Sequence, residues 1–182
     1  MTKINIPDQQ NFGQRIVDEY IEEDLGLPYP ITLKGCVTET YDLETGESIS
    51  CKIPKMEQLL SVVAIVRCYV ANKLSGQEIK FIRGILNISA KDLAGRMGVA
   101  VSTWSRWENG KQTMGEPQER LLRLFAHESL KNNAPGLDML DALTLSQMGL
   151  RAVREEGDYP RLIFCAGLRN EDMWNGQELE AA

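Results

Sequence analysis

The chain has 182 residues, the length of one domain or two small ones. Its 43% hydrophobic and 25% charged content excludes disordered, collagen-like and low-complexity classes. The net charge of −6 disfavours nucleic acid only if it is spread evenly, and it is not. Residues 1–35 carry −3, 36–73 carry −1, 74–125 carry +3 and 126–182 carry −5. One internal segment is basic and its flanks are acidic.

Residues 14–25, QRIVDEYIEEDL, place Ile16, Val17, Tyr20, Ile21 and Leu25 near a 3.6-residue period, which predicts a short amphipathic helix with an acidic outer face. Pro28-Tyr29-Pro30 ends it. The β-branched stretch that follows, with Glu44-Thr45-Gly46-Glu47 at its middle, predicts a hairpin pairing 31–41 with 48–53. Residues 55–72 lack Gly and Pro and are apolar on most faces, as in a helix that is buried or half-buried against a second subunit.

Four short helices are expected over 74–125. Ser75 caps the first, with Ile79, Ile82, Ile85 and Leu86 in one stripe. Ser89, with Asp92 three residues on, caps the second, which Gly98 ends. Val99 and Ala100 lead into the third, 101–109, which stops at Asn109-Gly110. Trp104 and Trp107, three apart, anchor that helix to the core. After the Pro135-Gly136 linker, 137–155 has a helical pattern and 159–166 reads as a strand. The acidic end, NEDMWNGQELEAA, reads as loose, with Trp174 exposed.

The cysteines Cys36, Cys51, Cys68 and Cys165 lie far apart, with no CxxC and a single histidine, His127. That is neither a disulfide framework nor a zinc spacing, so the cysteines read as buried apolar fillers, His127 as a surface or helix-end residue, and no metal or cofactor is expected. The start lacks a signal-peptide pattern. The most apolar run, Leu59–Val66, is too short to span a bilayer. A cytoplasmic protein with reduced thiols and no membrane contact follows.

NISAKDLAGRMGVAVSTWSRWENGK resembles the helix-turn-helix of the lambda-repressor-like (Cro/C1, XRE-type) family through Leu93-Ala94, Gly98-Val99, Ser105-Arg106-Trp107-Glu108 and Asn109-Gly110-Lys111. The longer stretch from Ile53-Pro54 to WENGKQTMGEPQERLLRLF is similar to the helix-turn-helix half of MqsA-type antitoxins and related regulators, although this chain has no upstream zinc-binding CxxC pairs. The whole is expected to be mostly α with a small β part. Its divisions are an α/β region at 1–54, a linking or dimerising helix at 55–73, a DNA-binding domain at 74–128 and an acidic extension at 129–182.

In such a domain the third helix enters the major groove with its N-terminal end toward the bases. By position, the resemblance assigns Val101 to a thymine methyl, Ser102 to either base, and Arg106 to guanine O6 and N7. Thr103 and Ser105 would meet phosphate or a neighbouring base. Ser89, Lys91, Lys111 and Gln112 are phosphate candidates. Arg83 and Glu108 match a structural salt bridge of the family, and Lys80, Arg96, Arg120 and Arg123 read as solvated charges. The expected partners are double-stranded DNA bearing an inverted repeat and a second copy of the chain. The alternative is an antitoxin-type protein that neutralises a toxin-like partner through its other regions. An enzyme is disfavoured, since no nucleophile elbow, phosphate loop or acid–base pair stands at a motif spacing.

Overall fold

The computed structural model describes residues 12–137, 142–150, 159–166 and 174–180. Five strands, β1 (Phe12–Glu22), β2 (Ile31–Asp42), β3 (Ser48–Lys52), β4 (Arg161–Ala166) and β5 (Trp174–Glu180), form one mixed sheet. The helices are α1 (Met56–Tyr69), α2 (Gly76–Ile85), α3 (Ala90–Arg96), α4 (Val101–Glu108), α5 (Glu116–Leu130) and α6 (Ala142–Gln147).

This corrects the mostly-α architecture with a small β part that the sequence suggests. Three strands precede the first helix, and the expected N-terminal helix at 14–25 is the strand β1. The cause is a slip in the β1–β2 ladder. Val17 pairs with Val37 and Glu19 with Lys34, so β2 carries one extra residue, near Gly35 at φ +64. Val17 and Tyr20 therefore both stand beside buried residues, Val37 and Leu33, at a spacing of three. The burial of the partners along β1 therefore departs from a period of two, and the apolar residues at 16, 17, 20 and 21 mimic a helical stripe.

β2 organises the sheet. β1 runs antiparallel along one edge over its whole length. The other edge is shared: Ile31–Lys34 pair in parallel with β4, and Thr38–Tyr41 pair antiparallel with β3. β5 closes the far side against β4, so part of the acidic C-terminal stretch is a strand and not loose. The Trp174 side chain, and the parts of the 137–155 helical pattern at 138–141 and 151–155, lie outside the described residues.

α1 is the central helix. Leu59 and every residue from Ser61 to Cys68 are buried, and the helix packs against α2, α5 and β5. Its apolar circumference is thus covered within one chain. Ile31, Leu33, Val37, Leu162 and Phe164 from the sheet share a core with α1 and with Ile79, Leu93, Trp104 and Leu122 from the later helices. No helix among the described residues is long and apolar enough to cross a membrane.

Candidate nucleic-acid interface

α3 and α4 are joined by the four residues 97–100. Ser89 caps α3: its Oγ accepts the Asp92 N–H at 3.1 Å and donates to Asp92 Oδ2 at 2.6 Å. Gly98, at φ +67, ends the helix, with the Val99 N–H bonded to the Ala94 carbonyl at 3.0 Å. Gly110, at φ +66, ends α4 in the same way, with the Lys111 N–H on the Arg106 carbonyl at 2.9 Å.

α4 is held from three directions. Trp104 and Trp107 are buried and meet edge to face, with ring centroids 5.8 Å apart. Arg83 of α2 donates from Nε to Glu108 Oε1 at 2.5 Å and from Nη1 to the Ile88 carbonyl at 3.1 Å, and Trp104 Nε1 donates to the same Glu108 oxygen at 2.8 Å. Gly76, the first residue of α2, lies directly on the end of α4. A Cβ there would stand 2.5 Å from the Trp107 carbonyl oxygen and 2.7 Å from that of Glu108.

With both tryptophans inward, Val101, Ser102, Ser105 and Arg106 form the exposed outer face, and Val101 is 46% exposed. Thr103 is half-buried at its edge, and Lys111 and Gln112 are exposed beyond the helix end. Ala100 offers no side-chain cap to the start of α4. Lys91 is exposed on α3. Of the sequence-predicted residues Ser89 fits least well beside phosphate, because its hydroxyl is engaged by Asp92, whose carboxylate occupies the helix start.

The electrostatics of the segment are more basic than its formal charge. Among its acids Glu78 and Glu119 are fully buried and paired with arginines, and Glu108 is paired with Arg83. Glu116 is bonded to Arg120. Lys80, Lys91, Arg96, Arg106 and Lys111 are exposed and enter no salt bridge among the described residues; Arg96 lies over the Phe125 ring. Cations therefore face solvent while most of the neutralising acids do not.

Sequence reasoning missed the charged cluster beneath this platform. Arg67 of α1 is bonded through Nε and Nη2 to the carboxylate of Glu78, and both side chains have no solvent exposure. Glu78 also accepts the Tyr29 hydroxyl at 2.8 Å and the Ser75 N–H at 2.7 Å, completing a capping box. Burial, and then the Glu78 charge, push the Tyr29 hydroxyl far above its ordinary range. Burial disfavours the charged form of Arg67, but the adjacent Glu78 carboxylate outweighs it and holds the guanidinium protonated.

Arg123, expected on the surface, is 1% exposed. It donates to Glu119 and to the carbonyls of Cys68, Val70 and Asn72 at 2.6–2.7 Å. The signals were present as Ser75-x-x-Glu78 and the four-residue spacing of Glu119 and Arg123. His127 is also buried, with Nδ1 3.2 Å from the Tyr69 hydroxyl. Cys36 and Cys68 are buried, and burial pushes the Cys68 thiol up to about 11, but Cys51 is exposed. A search of family models, curated proteins and solved structures finds no match to this chain.

Proposed function

We propose that the chain is a sequence-specific DNA-binding regulator that lays α4 in the major groove and acts as a homodimer on an inverted repeat. The observation that carries this reading is the outer face of α4. Two buried tryptophans and the Arg83–Glu108 bridge fix the helix, and Val101, Ser102 and Arg106 are left exposed beside Ser105, whose hydroxyl accepts the Asn109 amide at 3.2 Å. A guanidinium on a rigid helix face is the group best suited to bidentate contact with guanine. Val101 offers apolar contact to a thymine methyl, and Lys91, Lys111 and Gln112 meet the backbone on either side. The resemblance of 87–111 to lambda-repressor-like domains supports the same placement.

The test is a footprint of the full chain on the promoter region of its own gene, with Arg106→Ala beside it. The expected result is two-fold-symmetric protection with half-sites about one helical turn apart, or a multiple of that. The variant should lose about 1–3 kcal/mol of specific affinity while its melting curve is unchanged. No protection at low and moderate salt would overturn the reading.

A further inference from the structure

Pro28-Tyr29-Pro30, between β1 and β2, has no task in groove binding itself. Its backbone is stiff, because Pro28 has a fixed φ and Pro30 confines Tyr29 to extended conformations. The Tyr29 ring meets the ring of Tyr159, just before β4, with centroids 5.2 Å apart. Tyr29 is therefore held by the sheet region. Its hydroxyl reaches out of that region and donates to Glu78 Oε1, in the first turn of α2, at 2.8 Å.

Glu78 is the node at which the sheet, α1 and α2 meet. Arg67 of α1 grips both of its carboxylate oxygens. The same carboxylate accepts the Ser75 N–H, so the group that anchors α2 also closes its capping box. In that turn, two residues before Glu78, Gly76 lies against the end of α4 with no room for a Cβ beside the Trp107 and Glu108 carbonyl oxygens. A displacement of the turn cannot be absorbed by a side chain there, because backbone meets backbone. Two turns on, Arg83 holds Glu108. The pose of α4 is thus set by α2, and that of α2 by Tyr29 and Arg67.

We propose that Tyr29 and Glu78 are positioning residues for α4, through which the sheet region sets the pose in which α4 meets the bases. The positioning role rests on the DNA-binding reading. Bidentate base contact from Arg106 requires the helix to be held within about 0.5 Å and 10–20°. Phosphate contacts by flexible lysines tolerate a small tilt. Loss of the Tyr29 tie therefore weakens binding to the operator and spares binding to random DNA. A purely structural residue would lower the stability of the fold and leave the affinity of the folded chain unchanged.

The test compares the full-length parent, Tyr29→Phe and Val37→Ala at a temperature where melting curves show all three folded. Phenylalanine keeps the ring on Tyr159, and Arg67 still satisfies Glu78, so this variant folds. Val37 is buried in β2 beside Val17, and its truncation supplies a loss of stability with no hydrogen bond of this network broken. Tyr29→Phe should bind the footprinted operator about fivefold more weakly than the parent, bind random-sequence DNA equally well, and keep the same salt slope. Val37→Ala should bind both as the parent does. An unchanged operator affinity, or a loss matched on random DNA or by Val37→Ala, would overturn the proposal. A second readout contains no DNA. In proton–nitrogen NMR spectra, Tyr29→Phe should shift the amide signals of Trp107, Glu108 and Gly110, and Val37→Ala should not. Shifted signals with no operator found would leave the tie standing and the DNA reading fallen. Unmoved signals would overturn the tie whatever the DNA result.

Discussion

Replacing Glu78 by Gln isolates the charge of the buried Arg67–Glu78 pair. Glutamine has the same size: its amide oxygen can accept the Ser75 N–H in place of Oε2, which keeps the capping box, while its NH2 in place of Oε1 can donate to the Tyr29 hydroxyl oxygen. What is lost is the carboxylate bonded to the Arg67 guanidinium, which has no solvent exposure. Removing one member of a buried pair costs about 3–5 kcal/mol. Arg67 retains the carbonyls of Val70 at 3.4 Å and Lys73 at 3.0 Å, which places the loss at the lower end, about 3 kcal/mol. At about 2–4 °C per kcal/mol for a chain of this size, the melting temperature should fall by roughly 6–12 °C. Urea unfolding of Glu78→Gln, Arg67→Met and the double variant forms the assay. The double loss should be smaller than the sum of the singles, because it leaves no charge unpaired. A single variant within about 0.5 kcal/mol of the parent, or strict additivity, would refute the assignment of a coupled buried pair.

Glu108→Ala leaves the Arg83 guanidinium and the buried Trp104 N–H without their acceptor, and should cost about 2 kcal/mol in chemical denaturation. Gly76→Ala should lower the melting temperature despite the better helix propensity of alanine, because the new Cβ meets backbone oxygens 2.5 and 2.7 Å away; an unchanged or raised value would count against that contact. Asp42 accepts the N–H groups of Thr45 and Glu44 in the β2–β3 turn, and these hold its carboxyl below its ordinary value of 3.8. A lowered acid stabilises the folded form above its unfolded pKa and loses that contribution as pH falls through the folded one. The stability gap between the parent and Asp42→Ala should therefore be constant at neutral pH and close below about pH 4. A gap that persisted at pH 2 would contradict the turn's dependence on the carboxylate.

Helices α2, α3 and α4 were legible because most of their ends carry a local signal: Ser75 and Ser89 as caps, Gly98 and Gly110 in the left-handed region. The outer face of α4 was legible for the same reason, since two tryptophans at a spacing of three define its inner side. What failed were features decided by distant residues. The ladder slip depends on Gly35 of the neighbouring strand, so β1 could not be told from a helix on its own residues. Arg123 is buried because α5 packs against α1 and the carbonyls that end that helix accept its protons. His127 is buried because Tyr69 of α1 covers it. Strand β5 lies in an acidic stretch with little β-branched content, and its order comes from pairing with β4.

The shared edge of β2 sets an order of assembly during synthesis. β1, β2 and β3 meet through short connections, and the helices from α1 to α5 fold from near neighbours in sequence. Ile31, however, waits for Leu162. Until the ribosome has released β4, half of the β2 edge has no partner, and the buried Leu33 and Ile31 lack one wall of their core. Closing so long a loop is slow relative to the local steps, so the nascent chain carries an open strand edge through most of its production. A message truncated before residue 161 would yield a product with the whole exposed face of α4 and a permanently unsealed sheet. Such a product is a substrate for chaperones and proteases rather than a smaller working protein.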